Sequence, residues 1–270
     1  MKKIDTETNM FGLQIFSSEK YQLLEVLETH LIKNEKTMVV FTPNPEQVVL
    51  ANRSKIFAKT LGSADILVPD GVGLVFASRF LHKFNKSSEI AERIAGIDLV
   101  VDLLKFAKQQ KLKIMIIGGR DYEGREFKGR AVKILELSGK DNESEHATDF
   151  LWWEKGFLDV NNPTNGESNE LISDISRINP DIVFVAFGAP YQERWITENL
   201  GSLNENNVSL AMAVGGTFDV LLGKVPRAPK MMQNLGLEWL YRLIEEPWRW
   251  RRQLRLLEFM GLVIKEAFSK

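Results

Sequence analysis

The sequence predicts an α/β fold, a Rossmann-like, doubly wound and mostly parallel sheet followed by a C-terminal helical appendage. Two observations support this prediction. Five short apolar runs alternate with amphipathic helical stretches, and each run ends in Gly, Pro or Asp, which is typical of parallel strands covered by helices on both faces. Beyond Gly223 the strand pattern stops and a basic helical pattern replaces it.

The predicted strands lie, in chain order, in TMVVFTPN from residue 37, DILVPDGVG from 65, KIMIIGGR from 113, DIVFVAFGAP from 181 and SLAMAVGGTFD from 209. YQLLEVLETHLI from residue 21 and GIDLVVDLLKFAKQQ from 96 are predicted amphipathic helices between them. The stretch from Ser138 to Glu170 is predicted to be a polar connection, in which Trp152 and Trp153 anchor a loop to the body or form a lid.

Charge divides the chain at the place where the pattern changes. The formal net charge is only −1, but residues 224–270 hold ten Lys and Arg against five Asp and Glu, a balance of +5, which leaves −6 for residues 1–223. Such asymmetry marks a segment with a partner of its own. We therefore expect an α/β domain at residues 1–223 and a basic helical appendage at residues 224–270.

Composition excludes several classes of protein. The chain has no Cys and three scattered His, so thiol chemistry, disulfides and a zinc site are not expected, and we predict no metal and no cofactor. The longest apolar run, LLEFMGLVI, has nine residues and contains Glu258, whereas a membrane span needs about 18. The N-terminal segment lacks the apolar region of a signal peptide, so we expect a cytoplasmic protein. No nucleic-acid partner is predicted.

The appendage is predicted to form two helices broken at Pro247. In the second helix, apolar residues recur at steps of four and three and form what we call the apolar stripe: Trp250, Leu254, Leu257, Gly261, Ile264 and Phe268. Arginines occupy the opposite half of the wheel near its start: Arg249, Arg251, Arg252 and Arg255. A basic amphipathic helix with Trp is typical of a segment lying on an anionic membrane. The alternative is a helix that packs on the domain and leaves a solvated basic face.

Glycines and polar residues follow the predicted strands. A Gly turn such as Gly118-Gly119 brings backbone N–H groups close to a phosphate. The sequence nevertheless continues with Arg125-Glu126 where a P-loop has Lys-Ser/Thr, and no G-x-G-x-x-G follows any predicted strand, so ATPase and dehydrogenase chemistry are disfavoured. The alternative is a turn without function.

Four further strand ends carry candidate chemistry. Thr42 and Asn44 stand in a rigid Thr-Pro-Asn-Pro turn, where they present a hydroxyl and an amide or cap the next helix. Asp70, between Pro69 and Gly71, places a carboxylate where it can act as a general base, although Asp-Gly is also a common turn. The two later strand ends repeat the pattern with Gln192, Glu193, Gly215, Thr217 and Asp219. Convergence of such groups at one edge of the sheet favours a binding site.

Taken together and in order, seven stretches resemble the WecG/TagA/CpsF glycosyltransferase family: TPNPEQ from residue 42, PDGVGLV from 69, ERIAGIDLV from 92, IGG from 117, PDIVFVAFGAPYQERWI from 180, VGGTFDVLLGKVPRAPK from 214 and GLEWLYRLIEEPWRWRR from 236. The resemblance implies a metal-independent, inverting enzyme that moves an N-acetylmannosamine-type sugar from UDP to GlcNAc linked through a diphosphate to a polyprenyl lipid. It also implies a role in teichoic acid or related envelope polysaccharide synthesis, at the inner face of the cell membrane.

The resemblance also implies roles for individual residues. Asp70 is the candidate base on the acceptor hydroxyl, and Thr42, the second catalytic candidate, lies with Asn44 near the donor sugar and diphosphate. The other candidates are Arg93, Gln192 and Gly215 in the substrate pocket, Gly118 and Gly119 along the nucleotide, Asp219 facing the uridine, and Arg242, Arg249 and Arg252 of the appendage at the diphosphate or the membrane.

Two other functions are weighed against this one. A non-catalytic accessory subunit would bind a nucleotide-sugar or a partner transferase at the membrane, but the intact set of Asp70, Thr42 and Gln192 disfavours it. An NAD-type oxidoreductase on the same fold lacks its glycine fingerprint.

Overall fold

The computed structural model describes residues 6–33, 35–119, 150–245, 247 and 250–269, without the side chains of residues 234 and 251–253. The strands are β1 (Glu7–Met10), β2 (Leu13–Phe16), β3 (Met38–Phe41), β4 (Ile66–Leu67), β5 (Ile114–Gly118), β6 (Leu151–Glu154), β7 (Ile182–Ala186) and β8 (Leu210–Ala213). They form one sheet in the order β1-β2-β4-β3-β8-β7-β5-β6. Only the β1–β2 pair is antiparallel among these strands.

The described helices are α1 (Lys20–Lys33), α2 (Pro45–Arg53), α3 (Lys55–Gly62), α4 (Val72–His82), α5 (Gly96–Gln110), α6 (Asn165–Ile178), α7 (Tyr191–Glu198), α8 (Leu200–Glu205), α9 (Thr217–Leu221), α10 (Lys230–Asn234), α11 (Glu238–Glu245) and α12 (Trp250–Ala267). The α/β class and the mostly parallel sheet are therefore confirmed. The five predicted strands are β3, β4, β5, β7 and β8, and the two predicted helices are α1 and α5.

Helices bury both faces of the sheet. One core contains apolar side chains from α2, α3, α4, α6, α7, α8 and α12. The other core contains side chains from α1, α5 and α9. The central strands are apolar throughout because each strand residue faces one core or the other, and this explains why they read as continuous apolar runs.

The prediction of a polar connection from Ser138 to Glu170 is confirmed for residues 155–164 and wrong for the described residues on either side of them. Residues Leu151–Glu154 form the edge strand β6, which pairs with β5, and α6 begins at Asn165. Trp152 and Trp153 belong to this strand rather than to a loop or a lid. Trp153 donates a hydrogen bond from Nε1 to the Gly118 carbonyl at 2.7 Å. Residues 120–149 lie outside the described part of the chain.

The appendage docks on the α/β body through α12. Phe259, Val263 and Ala267 are buried in the same core as α2 and α4. Arg53 of α2 and Glu258 add an ion pair, with Nε donating to Oε1 at 2.8 Å. The break between α11 and α12 at Pro247 is as predicted, although the described appendage also contains the short helix α10. The second helix packs on the domain, and its predicted contact with a membrane stays a prediction.

The apolar stripe does not form the docking face. Leu254 and Leu257 are 54% and 66% exposed, and Ile264 and Phe268 are also exposed. The helix is therefore apolar on two sides, because Phe259 and Val263 face the body while the stripe faces outward. None of the described helices combines the length and the apolarity needed to cross a membrane.

Candidate active site

Five strands lead into candidate site residues at one edge of the sheet. β3 runs into Thr42, β4 into Asp70, β5 into Gly119, β7 into the loop that leads to Gln192, and β8 into Gly215. The carboxyl ends of these parallel strands meet at this edge, where open α/β sheets bind their ligands.

The Asp70 carboxylate is fixed by its neighbours. Its Oδ1 accepts a hydrogen bond from the Gly96 N–H at the start of α5 at 3.1 Å, and lies 3.5 Å from Arg93 Nη2. A third of the side-chain surface stays exposed. Desolvation raises the pKa of Asp70, and the opposing effects of Arg93 and the Gly96 N–H do not cancel it. A carboxylate with a raised pKa is a stronger base than an ordinary Asp.

Arg93 connects Asp70 to the appendage. Its Nε donates to the Asp70 carbonyl oxygen, and its Nη2 donates to Glu238 Oε2 at 2.7 Å. Arg242 Nη2 lies 3.8 Å from the other oxygen of Glu238. Glu238 begins α11 and is 7% exposed. The appendage therefore reaches the predicted base, through a residue that the sequence analysis missed.

Thr42 lies next to Gly96, the residue whose N–H binds the Asp70 carboxylate. Its Oγ1 donates to the Ala213 carbonyl at the end of β8 at 3.4 Å. A Cβ added at Gly96 would lie 3.4 Å from Thr42 Oγ1. The Gly96 N–H thus binds Asp70, and the side of Gly96 where a Cβ would stand faces Thr42, so the two predicted catalytic residues lie next to one glycine.

Asn44 caps α2, which is the structural alternative considered for it. Its Oδ1 accepts from the Gln47 N–H at 3.1 Å, and Gln47 Oε1 accepts from the Asn44 N–H at 3.2 Å, completing a capping box. Pro45 then packs against the turn after Asp70, since a Cβ at Gly71 would lie 2.4 Å from its Cδ. The two motifs TPNP and PDG therefore interlock, and this contact requires glycine at position 71.

Gln192 is buried and ties two strand-end loops together. Its Oε1 accepts from the Gly188 N–H at 3.0 Å and from the Gly215 N–H at 2.9 Å. Its Nε2 donates to Glu193 Oε1 at 2.9 Å, and Gln47 Nε2 donates to the same oxygen at 2.8 Å. Gln192 is thus placed to shape the loops after β7 and β8, while its predicted contact with substrate stays a prediction.

Glu193 is fully buried within this network. Its Oε2 has no hydrogen-bond partner in the described part of the chain. Burial raises the pKa of Glu193 despite the two amide donors on Oε1. The carboxyl group of Glu193 therefore stays protonated, and so uncharged, up to a higher pH than the carboxyl group of an exposed Glu.

Gly118 and Gly119 form a close-packed turn after β5. Both have positive φ angles, +88° and +94°. A Cβ at Gly118 would lie 2.6 Å from Cδ1 of Phe187, the residue before Gly188. Glycine is therefore needed at 118 for packing as well as for conformation. The segment that follows residue 119 lies outside the described residues, so the predicted nucleotide contact stays a prediction.

Gly215 and Asp219 belong to the loop after β8 and the first turn of α9. Gly215 has a φ of +52° and donates its N–H to Gln192. A Cβ at Gly216 would lie 3.6 Å from Asp219 Oδ2. Asp219 is thus at the correct edge of the sheet, and its predicted role toward uridine stays a prediction.

Of the three predicted arginines of the appendage, Arg242 is the one whose side chain the structure describes. Arg242 faces Glu238. Arg249 and the side chain of Arg252 lie outside the described residues. In the described ranges no three His, Asp or Glu side chains converge as a metal site requires.

Comparison with known proteins decides the family. The model of the glycosyl transferase WecG/TagA/CpsF family matches residues 8–270. The chain belongs to this family.

The named relatives of this glycosyltransferase agree with the match. A protein of Bacillus subtilis (strain 168), named N-acetylglucosaminyldiphosphoundecaprenol N-acetyl-beta-D-mannosaminyltransferase, is 33% identical over 268 residues, covering 99% of this chain and 94% of its own. A protein of the same name from Bacillus spizizenii (strain W23) is 31% identical over 256 residues, covering 94% and 89%. The match includes the appendage, so both parts of the chain belong to the family.

Proposed function

We propose that this glycosyltransferase moves N-acetylmannosamine, or a related sugar, from UDP to GlcNAc linked through a diphosphate to undecaprenol, with inversion at the anomeric carbon and without a metal. The names of the two relatives support the transferred sugar and the acceptor. The pathway would be the synthesis of teichoic acid or another envelope polysaccharide.

The position of Asp70 carries this proposal. Gly96 holds Oδ1, so we assign the proton transfer to Oδ2. Asp70 removes the proton of the acceptor hydroxyl, and that oxygen attacks the anomeric carbon from the face opposite UDP. The bond between the anomeric carbon and the UDP oxygen breaks, and UDP leaves with the electron pair. The base must be ionised, so the rate should fall as the pH drops through the raised pKa of Asp70.

The donor would lie along the strand ends beside Asp70. Thr42 and Asn44 lie near the base, because Gly96 lies between Thr42 and Asp70, and Asn44 packs against Gly71, the residue after Asp70. Asn44 uses its carbonyl oxygen as a helix cap, so its amide nitrogen is the group we assign to the donor sugar or diphosphate. The glycine turns after β5 and β8 would accommodate the nucleotide, with Asp219 toward the uridine.

Cationic side chains would offset the charge that develops on departing UDP. Arg242 lies 3.8 Å from the Glu238 carboxylate and acts electrostatically on that of Asp70. Arg249 and Arg252 follow it in the appendage. Preorganised positive groups stabilise such charge strongly in a site that excludes water. We therefore propose that the appendage closes the site over the diphosphate and replaces a metal ion.

The apolar stripe would bring the enzyme to the membrane that carries its acceptor, on the cytoplasmic face. The stripe is exposed although its helix is docked. Phe268 extends it toward the turn that follows α4, because the Phe268 ring lies 5.1 Å from the ring of Phe84 in that turn. Exposed apolar residues on a helix whose sequence is also rich in arginine fit an anionic membrane surface.

A panel of UDP-sugars, offered with a short-chain polyprenyl-diphosphate-GlcNAc acceptor, tests the reaction. We expect product with UDP-N-acetylmannosamine, inverted configuration by NMR and full activity in EDTA. No product with any donor would overturn the proposal in favour of an accessory role, and loss of activity in EDTA would contradict a metal-free mechanism.

Flotation with phosphatidylglycerol vesicles tests membrane binding. The double variant Leu254→Ser/Leu257→Ser should bind far less than the wild type, and binding should weaken with salt because each basic residue near an anionic surface contributes about 1 kcal/mol. Ile56→Ser is the matched control, since Ile56 is 79% exposed on α3, outside the stripe. Equal loss in both variants, or no loss in either, would contradict a membrane role for the stripe.

A further inference from the structure

Glu238 is an acidic side chain that the appendage places beside the predicted base. It stands at the first residue of α11 and is almost fully buried. The turn before it packs on the body, since a Cβ at Gly236 would lie 2.8 Å from Val72 at the start of α4. Gly236 has a φ of +70°, so the turn that aims Glu238 at the site depends on glycine.

A continuous chain of contacts links Glu238 to Asp70. Arg93 Nη2 is 2.7 Å from Glu238 Oε2 but 3.5 Å from Asp70 Oδ1. The Nε of Arg93 is bound to the backbone carbonyl of Asp70 and not to its carboxylate. Arg93 is therefore shared between two carboxylates, and its closer partner is the one from the appendage.

This sharing leaves Asp70 only partly neutralised. The charged groups that act on Asp70 are Arg93, from the segment before α5, and Arg242 and Glu238 from α11. Desolvation raises the pKa of Asp70 most, Arg93, the Gly96 N–H and Arg242 lower it, and Glu238 has the smallest of these effects, which raises it. Without the charge of Glu238, Arg93 would keep Asp70 as its only carboxylate partner among these groups, and a carboxylate paired with Arg is a weaker base.

We infer that Glu238 is a positioning residue, through which the docked appendage holds Arg93 away from full pairing with the Asp70 carboxylate and keeps that carboxylate basic. The inference rests on the proposed function of Asp70 as the base. The appendage would then do more than bind diphosphate or membrane, because the basicity of Asp70 would depend on the docking of the appendage on the α/β body.

The direct test is the pKa of Asp70 measured by NMR on protein labelled with ¹³C at the Asp carboxyl, with the Asp70→Asn spectrum assigning the signal. Glu238→Gln keeps the size of the side chain and removes its charge. We expect a lower Asp70 pKa in Glu238→Gln than in the wild type. An unchanged or higher pKa would overturn the inference. This readout needs no turnover, so a wild type that transfers no sugar would overturn the proposed function and leave the comparison valid.

Kinetics supply a second readout that a purely structural role would not move. In Glu238→Gln the acidic limb of the profile of kcat against pH should shift to lower pH. We expect kcat near neutral pH to fall by about 2–3-fold, a small part of the 10²–10⁴-fold that a general base contributes, with KM for the UDP-sugar nearly unchanged. A lower kcat with an unmoved acidic limb would mean that Glu238 only anchors the appendage, and would overturn the inference.

Glu245→Gln is the matched control. Glu245 lies on the same helix, is exposed, and is not among the groups that act on Asp70, so its variant should keep the wild-type Asp70 pKa. If Glu238→Gln does not unfold cooperatively, Glu238→Asp replaces it, since the shorter side chain moves the charge away from Arg93. The Asp70 pKa should again be lower than in the wild type, and an equal value would overturn the inference.

Discussion

Truncating Phe259 to Ala should destabilise the protein as much as a truncation in the middle of its core. Phe259 lies on α12, in the appendage, yet it is only 4% exposed. Its ring packs edge-on against Phe11 at 5.6 Å between centroids, and lies 3.7 Å from where a Cβ of Gly73 would be. Removing a buried Phe side chain costs about 3–5 kcal/mol of the free energy of unfolding, and the lost aromatic pair favours the upper part of this range.

Urea denaturation, followed by circular dichroism, measures this cost. Leu257→Ala is the matched control, because Leu257 lies on the same helix but is 66% exposed. A surface change of this kind stays within about 0.5 kcal/mol of the wild type. Equal costs for the two variants, or a larger cost for Leu257→Ala, would refute the docking of α12 through Phe259 and the outward direction of the apolar stripe.

Two further predictions concern the site. Gly71→Ala should lower the free energy of unfolding by about 1–3 kcal/mol in thermal or urea unfolding, because its methyl group meets the ring of Pro45 2.4 Å away. Gly62→Ala is the control, since open space surrounds Gly62, and it should be neutral or stabilising by up to about 1 kcal/mol. Similar costs at both positions would contradict the packing of Pro45 against the turn after Asp70. The raised pKa of Glu193 means that its contribution to wild-type stability is largest at low pH and is lost as the pH rises toward that pKa. Since Gln does not titrate, Glu193→Gln should gain stability relative to the wild type as the pH rises above the ordinary Glu pKa of about 4.3, and a constant difference in urea unfolding would show that Glu193 is not a buried neutral acid.

The central strands were predictable because their burial leaves a continuous signal. In Ile114–Gly118 and Ile182–Ala186 nearly every residue is buried, so each strand reads as an apolar run closed by a turn residue. The strands at the two edges carry weaker signals. Glu7–Met10 has only four residues and alternates exposed and buried positions, and Leu151–Glu154 stands among polar residues that conceal it.

The appendage shows a limit of periodicity. Two faces of α12 are apolar, and the face with the most regular spacing is the exposed one. Spacing identifies a stripe but not its partner, so Phe259 and Val263 were not recognised as the docking residues.

Glu238 was missed for a different reason. Its function in the fold depends on Arg93, 145 residues away in the chain, and no local pattern marks a contact of that kind. Asp70, Thr42 and Gly118 were found because strand ends in parallel sheets meet at one edge, whereas the buried network of Gln192 and Glu193 became visible only through its hydrogen bonds.

The most direct test of Asp70 as the base compares Asp70→Asn with the wild type in transfer from UDP-N-acetylmannosamine to the lipid-linked acceptor, with UDP binding measured on the same samples. Loss of a general base costs about 10²–10⁴-fold in rate. We therefore expect Asp70→Asn to fold and to bind UDP like the wild type while transferring sugar at least about 100-fold more slowly. Transfer at the wild-type rate by this variant would contradict the account.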